Sequence, residues 1–399
     1  MTVVAERTVA PARLSRPAAF TAIAAILVTF AAASAVPSPL YVVYQQLWGF
    51  SPAMLTVIFA VYVVALIATL LTAGALSDHV GRRPVLAGAI LLEAVALVLF
   101  LTAGDVSVLL VARIVQGVAT GAALSTLGAT LIDLNPAHAP GRAGLISGLA
   151  PVAGLGLGAF GAGALVEFAP FPTHLVYAVL LTAMVIAGLA VAGMPETSVR
   201  RPGAAASLIP RLGVPARLRG DLFALVPIIV ASWALGGLYL SLGPSVASEA
   251  FGVHDHLLAG LVVALVTGTG AITSFLLRGV ATARVLTIAG AGLLTGGALG
   301  VAGLVTGSLA LATAGTVIAG AGFGAASLAS FSTLARIAAP HERGELLAVA
   351  LTISYAALSI PAVIAGQAAT RIGLHTTALW YGTIVAALGL LALLTRRRS

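Results

Sequence analysis

GALSDHVGRR, running from Gly74 to Arg83, places one Asp, one His and two Arg between two long apolar runs, in a chain of 399 residues that is 8% charged and 60% hydrophobic. A mean hydropathy of +1.11 leaves too little polar surface to cover a soluble fold of this size. Outward from the quoted stretch, the apolar runs reach back to Ala53 and forward to Ala103. Each is close to the roughly 20 residues that a helix needs to cross about 30 Å of hydrocarbon. Such runs recur along the whole chain and give twelve predicted spans, the first at Ala18–Val43, the fifth at Gly144–Val166, the seventh at Leu222–Val246, the eighth at Leu257–Leu277 and the twelfth at Thr376–Leu394. They are continuous and rich in Gly, Ala and Leu instead of alternating, which disfavours a β-barrel. The first run has no small-residue cleavage site and reads as a retained helix.

The long polar connection Pro195–Asp221 divides the spans six and six. The expected architecture is an all-α integral membrane protein. It has a tail over 1–17, a six-helix bundle over 18–194, a linker over 195–220, a second six-helix bundle over 221–395 and a short tail over 396–399. All 20 basic side chains are Arg, and all but Arg113 and Arg371 fall on the side shared by the two tails and the linker. That side is therefore expected to be cytoplasmic. Asp105, Glu167, Glu249 and Asp255 mark the other face. The net charge of +8 is spread over short loops next to the membrane, so it suits an anionic leaflet and no nucleic-acid partner is expected. With no Cys there is no disulfide or thiolate metal site, and neither metal nor cofactor is expected.

The two halves also resemble each other. At one offset, Gly117, Gly121, Ala122 and Ala123 fall on Gly320, Gly324, Ala325 and Ala326, and His138 and Gly141 fall on His341 and Gly344. An offset shared by two helices and their loop indicates duplication, and parallel six-helix repeats facing each other across the membrane normal are a transporter arrangement.

The opening stretch lies in the loop between spans two and three, and its pattern Gly74-x-Leu76-x-Asp78-x-x-Gly81-Arg82-Arg83, followed by Leu86, resembles the signature loop of the major facilitator superfamily. His79 stands where an Arg is usual. Gly74 and Gly81 are expected to permit close helix approach and a tight reversal. Asp78 is expected to accept backbone N–H groups at a helix N-terminus, with Arg82 or Arg83 reaching Asp133. RIVQG, Arg113 to Gly117, is similar to the fourth-helix motif of proton-linked members and sets Arg113, Gln116, Gly117, Thr120 and Gly121 along one stripe. Gly154 to Gly163 resembles the antiporter signature of the fifth helix, with Ala159 in place of its Pro and Ala162 in place of one Gly. Close packing of small residues at Gly154 and Gly158 accounts for that stretch equally well. MPET, Met194 to Thr197, resembles the superfamily's usual ending of the sixth span.

Two charges inside spans need an explanation. Arg113 either faces protein or water as a functional group or snorkels to the outer headgroups. Glu93, in the middle of span three, is either a hydrogen-bonded structural carboxyl or a proton carrier coupled to Arg113. No His is expected within a span. The resemblance implies a cavity lined by spans one, four, seven and ten, offering Ser34, Tyr41, Gln116, Trp233, Tyr239, Ser241 and Thr316. Scattered acids argue against an enzyme, the absence of Lys excludes a phosphate-binding loop, and nothing suggests a channel ring. The expectation is a monomeric secondary transporter in the inner membrane of a prokaryote, exporting an amphipathic or small neutral compound in exchange for protons. A sugar or metabolite carrier is the alternative.

Overall fold

The computed structural model describes residues 14–139, 141–209, 214–253, 255–339 and 343–396. The remainder includes the loop histidine His341, the N-terminal tail through residue 13 and the last three residues, so those parts of the sequence reading lie outside the described residues. Among the described residues twelve helical segments are long and apolar enough to span a membrane. In order they are Arg16–Trp48, Pro52–Ala73, Arg82–Leu101, Val106–Asp133, Arg142–Phe168, Leu175–Gly193, Ala216–Ser241, His256–Leu276, Thr282–Thr306, Leu309–Ile337, Glu345–Ile372 and Leu374–Leu394.

Local chemistry sets where several of them begin. Ser15, Ser51, Asp105, Asp255 and Ser308 are N-caps whose side-chain oxygens accept from backbone N–H groups of the first turn. Asp105 and Asp255 thus have a capping task as well as marking one face by their charge. The first span is two helices, Arg16–Ala35 and Pro37–Trp48, because Pro37 and Pro39 withhold two N–H donors. It runs on to Trp48, past the expected Val43. The seventh span stops at Ser241, and a separate helix, Gly243–Phe251, follows with Pro244 in its first turn. Both extensions end on a glycine in the left-handed region, Gly49 and Gly252, each at φ 65°. These two glycines obey the same offset as the repeated motifs.

Helix ends also move two histidines. His256 opens the eighth span and His375 lies in the first turn of the twelfth, correcting the expectation that no span holds a His. The fifth span, Arg142–Phe168, carries Pro151 inside it, so a helix-distorting residue is present two turns before the position of Ala159.

The packing repeats as the sequence does. In the first half, span one packs on five, two on four, and three on both four and six; in the second, seven packs on eleven, eight on ten, and nine on both ten and twelve. Gly117 and Gly121 lie against the backbone of span two at Tyr62 and Leu66, and Gly320 and Gly324 against span eight at Val266 and Gly270. A Cβ at any of the four would overlap the facing helix, so the shared glycines record one crossing made twice.

The halves meet where span five packs on eight and span two on eleven. Gly163 abuts the backbone at His256 and Gly260, Gly366 abuts Thr56, Ser38 Oγ donates to the Leu240 carbonyl, and the His256 N–H donates to Glu167 Oε2 at 2.9 Å. These contacts sit in the half of the molecule remote from the Gly74–Arg83 loop. An apolar patch of Phe59, Tyr62, Val63, Leu66, Ala159, Leu240, Val263 and Leu358 closes the seam between them. Leu91, Val185, Leu189 and Ile364 are more than half exposed on the outer wall, as a lipid-facing surface requires.

Candidate functional site

Three groups of polar residues stand out. The first is the loop itself. Arg82 is largely buried and bridges two acids, with its Nη1 2.6 Å from Asp78 Oδ1 and its Nε 3.1 Å from Asp133 Oδ2. Ser77 Oγ accepts from the same Nη1. Arg83 does not take part: it turns to the carbonyls of Val191 and Ala192 at the end of span six. Of the two arginines offered by the sequence, Arg82 is the one that reaches Asp133.

Two other expectations for the loop are corrected. Asp78 does not cap a helix; Glu196 does, accepting from the Arg82 N–H at 2.8 Å and the Arg83 N–H at 3.1 Å at the start of span three. Gly74 meets only the carbonyl of Leu70 in its own preceding turn, so it makes no approach to a second helix. Gly81 fulfils its expectation. It sits at φ 109°, and a Cβ there would press on the Glu196 carboxylate. The chain after span six then straps over the loop. Thr197 Oγ1 donates to Asp133 Oδ2 at 3.0 Å, Ser198 Oγ to the Asp78 carbonyl, and the Arg201 N–H to the His79 carbonyl. His79 Nδ1 lies 3.0 Å from the Pro202 carbonyl and must carry its proton to bond there.

The second group is buried in the first bundle. Arg113, with no solvent exposure, donates through Nε and Nη2 to the Tyr41 hydroxyl, and through Nη1 to the Ser34 carbonyl at 3.1 Å and Gln116 Oε1 at 2.6 Å. Its guanidinium lies over the Tyr62 and Tyr41 rings, 5.0 and 5.6 Å from their centroids. Snorkelling is thereby excluded. Gln116 Nε2 donates to the Ala33 carbonyl and, at 2.9 Å, to Glu93 Oε1. The Ala33 carbonyl is free for this because the residue four places on is Pro37, which has no N–H. Gln116 therefore stands between the two charged groups. Glu93 Oε2 is buried with no partner.

The third group lies in the second bundle. Trp233 is boxed by Phe323, Phe331 and Tyr355, with ring centroids 6.2, 6.4 and 5.1 Å away. Tyr239 and Thr316 share a 2.8 Å hydrogen bond. Tyr41 belongs with Arg113 instead of a cavity wall, and Ser241 bonds back to the Gly237 carbonyl, so neither presents a free polar group. Tyr62, Glu196, Thr197, Phe323, Phe331 and Tyr355 were not singled out by sequence reasoning. Only Glu196 and Thr197 carried a signal, since they belong to MPET.

The model for the Major Facilitator Superfamily matches residues 19–362 of the chain. No curated protein sequence matches it significantly. Among solved structures, the D-xylose–proton symporter is similar over 94% of this chain and 96% of its own, with a TM-score of 0.74 and 16% identity. A bacterial homologue of the human lysosomal transporter Spinster, inward-facing and unoccupied, is similar over 95% and 97%, with a TM-score of 0.73 and 14% identity. The nucleoside transporter NupG is similar over 94% and 99%, at 0.72 and 12%.

Proposed function

Since the chain belongs to the Major Facilitator Superfamily and is a membrane transporter, not an enzyme, we propose that it is a secondary active carrier that exports a small amphipathic or neutral compound in exchange for protons. The observation that carries the coupling is the buried Glu93, one oxygen held by Gln116 and the other with no partner. A carboxyl placed in that way can take a proton on Oε2 without breaking an existing bond. Arg113 cannot release its own proton, so its part is to bias the charge on Glu93 through Gln116 or to meet the substrate. With the Arg-rich loops in the cytoplasm, the packed seam faces outward and substrate enters from the inner side. Asp78, Arg82 and Asp133 then hold the inner ends of spans two, three and four as one body while the halves rock.

In proteoliposomes, Glu93→Gln is expected to abolish accumulation driven by a pH gradient while leaving exchange of substrate down its own gradient intact. Full gradient-driven accumulation by this variant would show that Glu93 is structural. A second reading, symport of a neutral metabolite such as a sugar, draws on the absence of charged side chains from Leu222 to Ser241 and from Leu309 to Ala335. The sign of the proton flux that accompanies substrate separates the two.

A further inference from the structure

Three hydroxyls of the tenth span depart from a rule that most membrane-embedded hydroxyls of this chain keep. Such a hydroxyl is satisfied by the carbonyl three or four residues back on its own helix. Ser232, Ser241, Thr267, Ser332 and Ser354 all donate in this way. Ser327, Ser330 and Thr333 are buried at the hydroxyl and have no partner. Spaced three apart, they share one face of the helix. Ser327 stands one turn from Phe323 and one turn from Phe331, the two rings that hold Trp233 edge-on. The indole Nε1 of Trp233 is itself buried and without a partner.

Two idle donors therefore sit in one aromatic-walled place, at the seam where Trp233 and Tyr355 pack against the patch containing Tyr62, Leu66 and Leu358. A buried donor left unpaired is costly, and a cluster of them asks for an acceptor. An indole N–H can only donate, so it selects a group with lone pairs. No charged residue lies between Leu222 and Ser241, between Leu309 and Ala335, or between Leu346 and Thr370. Arg113 lies in the other bundle, with four of its five N–H groups spent on Tyr41, Ser34 and Gln116. A formal charge on the ligand would thus find no counter-charge on this wall.

Resting on the transporter reading above, we propose that Trp233 and Ser327 form the binding wall for an uncharged, ring-bearing substrate with a carbonyl-type acceptor. The ring lies against Trp233 and Tyr355, and the acceptor takes the indole N–H and the Ser327 hydroxyl. Ser330 and Thr333 extend the row of donors toward the end of the span at Arg336, where the acceptor passes on its way in. This narrows the substrate away from polyols, whose many donors the aromatic wall leaves unpaired, and away from organic cations.

The test is equilibrium binding of three tritiated aryl ketones, 2-acetylnaphthalene, benzophenone and fluorenone, to the intact protein in lipid nanodiscs, corrected against empty nanodiscs. The matched hydrocarbons 2-ethylnaphthalene, diphenylmethane and fluorene serve as competitors, beside tetraphenylphosphonium and glucose. At least one ketone is expected to bind saturably and at least about ten-fold more tightly than its hydrocarbon, the size of effect one buried hydrogen bond supplies. Trp233→Phe keeps a ring and removes the donor, and is expected to erase that preference; Ser327→Ala is expected to reduce it, both with melting temperatures close to the parent's. Equal affinity for ketone and hydrocarbon in all three pairs, a preference that survives Trp233→Phe, or tighter binding of the phosphonium or of glucose overturns the proposal. Ketone binding of the expected pattern with no movement across proteoliposomes overturns the transport reading and leaves the site standing. Movement of the ketone at parental rates by both variants overturns the site and leaves the transport reading standing.

Discussion

Gly81 carries the most specific demand of any single residue. At φ 109° and ψ 152° it occupies backbone space that a side chain enters only at a cost of about 1–3 kcal/mol. The Glu196 carboxylate lies only 2.8 Å from the position where a Cβ would go. Gly81→Ala is therefore expected to lower thermal stability and to speed hydrogen exchange at the Arg82 and Arg83 amides, which Glu196 caps; unchanged exchange there would mean that the cap survives. Arg82→Lys tests the neighbouring bridge. A guanidinium can present separate N–H groups to Asp78, Asp133 and Ser77, whereas an ammonium on a flexible stem cannot hold all three, so transport is expected to fall about ten-fold with little loss of expression. Transport at the parental rate would show that one of the two acids suffices. The sequence placed Asp78, Gly81 and Arg82 in one loop because their spacing is local, and Asp133 near them because span four ends on the same face. It did not yield Glu196 as the cap, since that carboxylate arrives only after spans three to six have been crossed.

At the scale of helices, the repeated glycines separate close crossings from free surfaces. Gly324→Ala must push apart the backbones of spans ten and eight at Gly270, and an overpacking cost of about 1–3 kcal/mol is expected. Gly128 has nothing within 4 Å of its Cβ position, so Gly128→Ala is expected to be neutral or to stabilise by up to about 1 kcal/mol through helix propensity. Melting both variants in the same detergent checks the contrast, and equal shifts would deny that the crossing at Gly324 is tight. Such elements were legible because continuous apolar length and small-residue spacing are properties of the segment alone. The ends of spans one and seven were not. Pro37, Pro39 and Pro244 were visible in the sequence, but whether a helix stops or continues through a proline depends on who receives the freed carbonyls. Here Gln116 takes that of Ala33. The setting of Arg113 was hidden for the same reason, with Tyr41 coming from span one and Tyr62 from span two.

For the whole molecule, the seam between halves is the part that alternating access requires to open. Glu167 and His256 lie across it from each other and the chain has no Cys, so Glu167→Cys with His256→Cys offers a clean pair for a short bismaleimide. The bridged protein is expected to lose transport while each single variant, treated alike, retains it; a bridged carrier that still turns over would mean that this seam stays shut throughout the cycle. The strap after span six has a different consequence. Residues 196–202 belong to the connection between the halves by sequence, yet Glu196, Thr197, Ser198, Arg201 and Pro202 all bond to spans or loops of the first. If the protein is made as two separate polypeptides, the site of division decides whether they assemble. A division after Gly203 leaves the strap attached where it bonds, and the co-expressed pieces are expected to reconstitute a working carrier. One after Gly193 hands Glu196 to the wrong fragment, strips the N-terminus of span three of its cap, and yields a first piece that cells degrade.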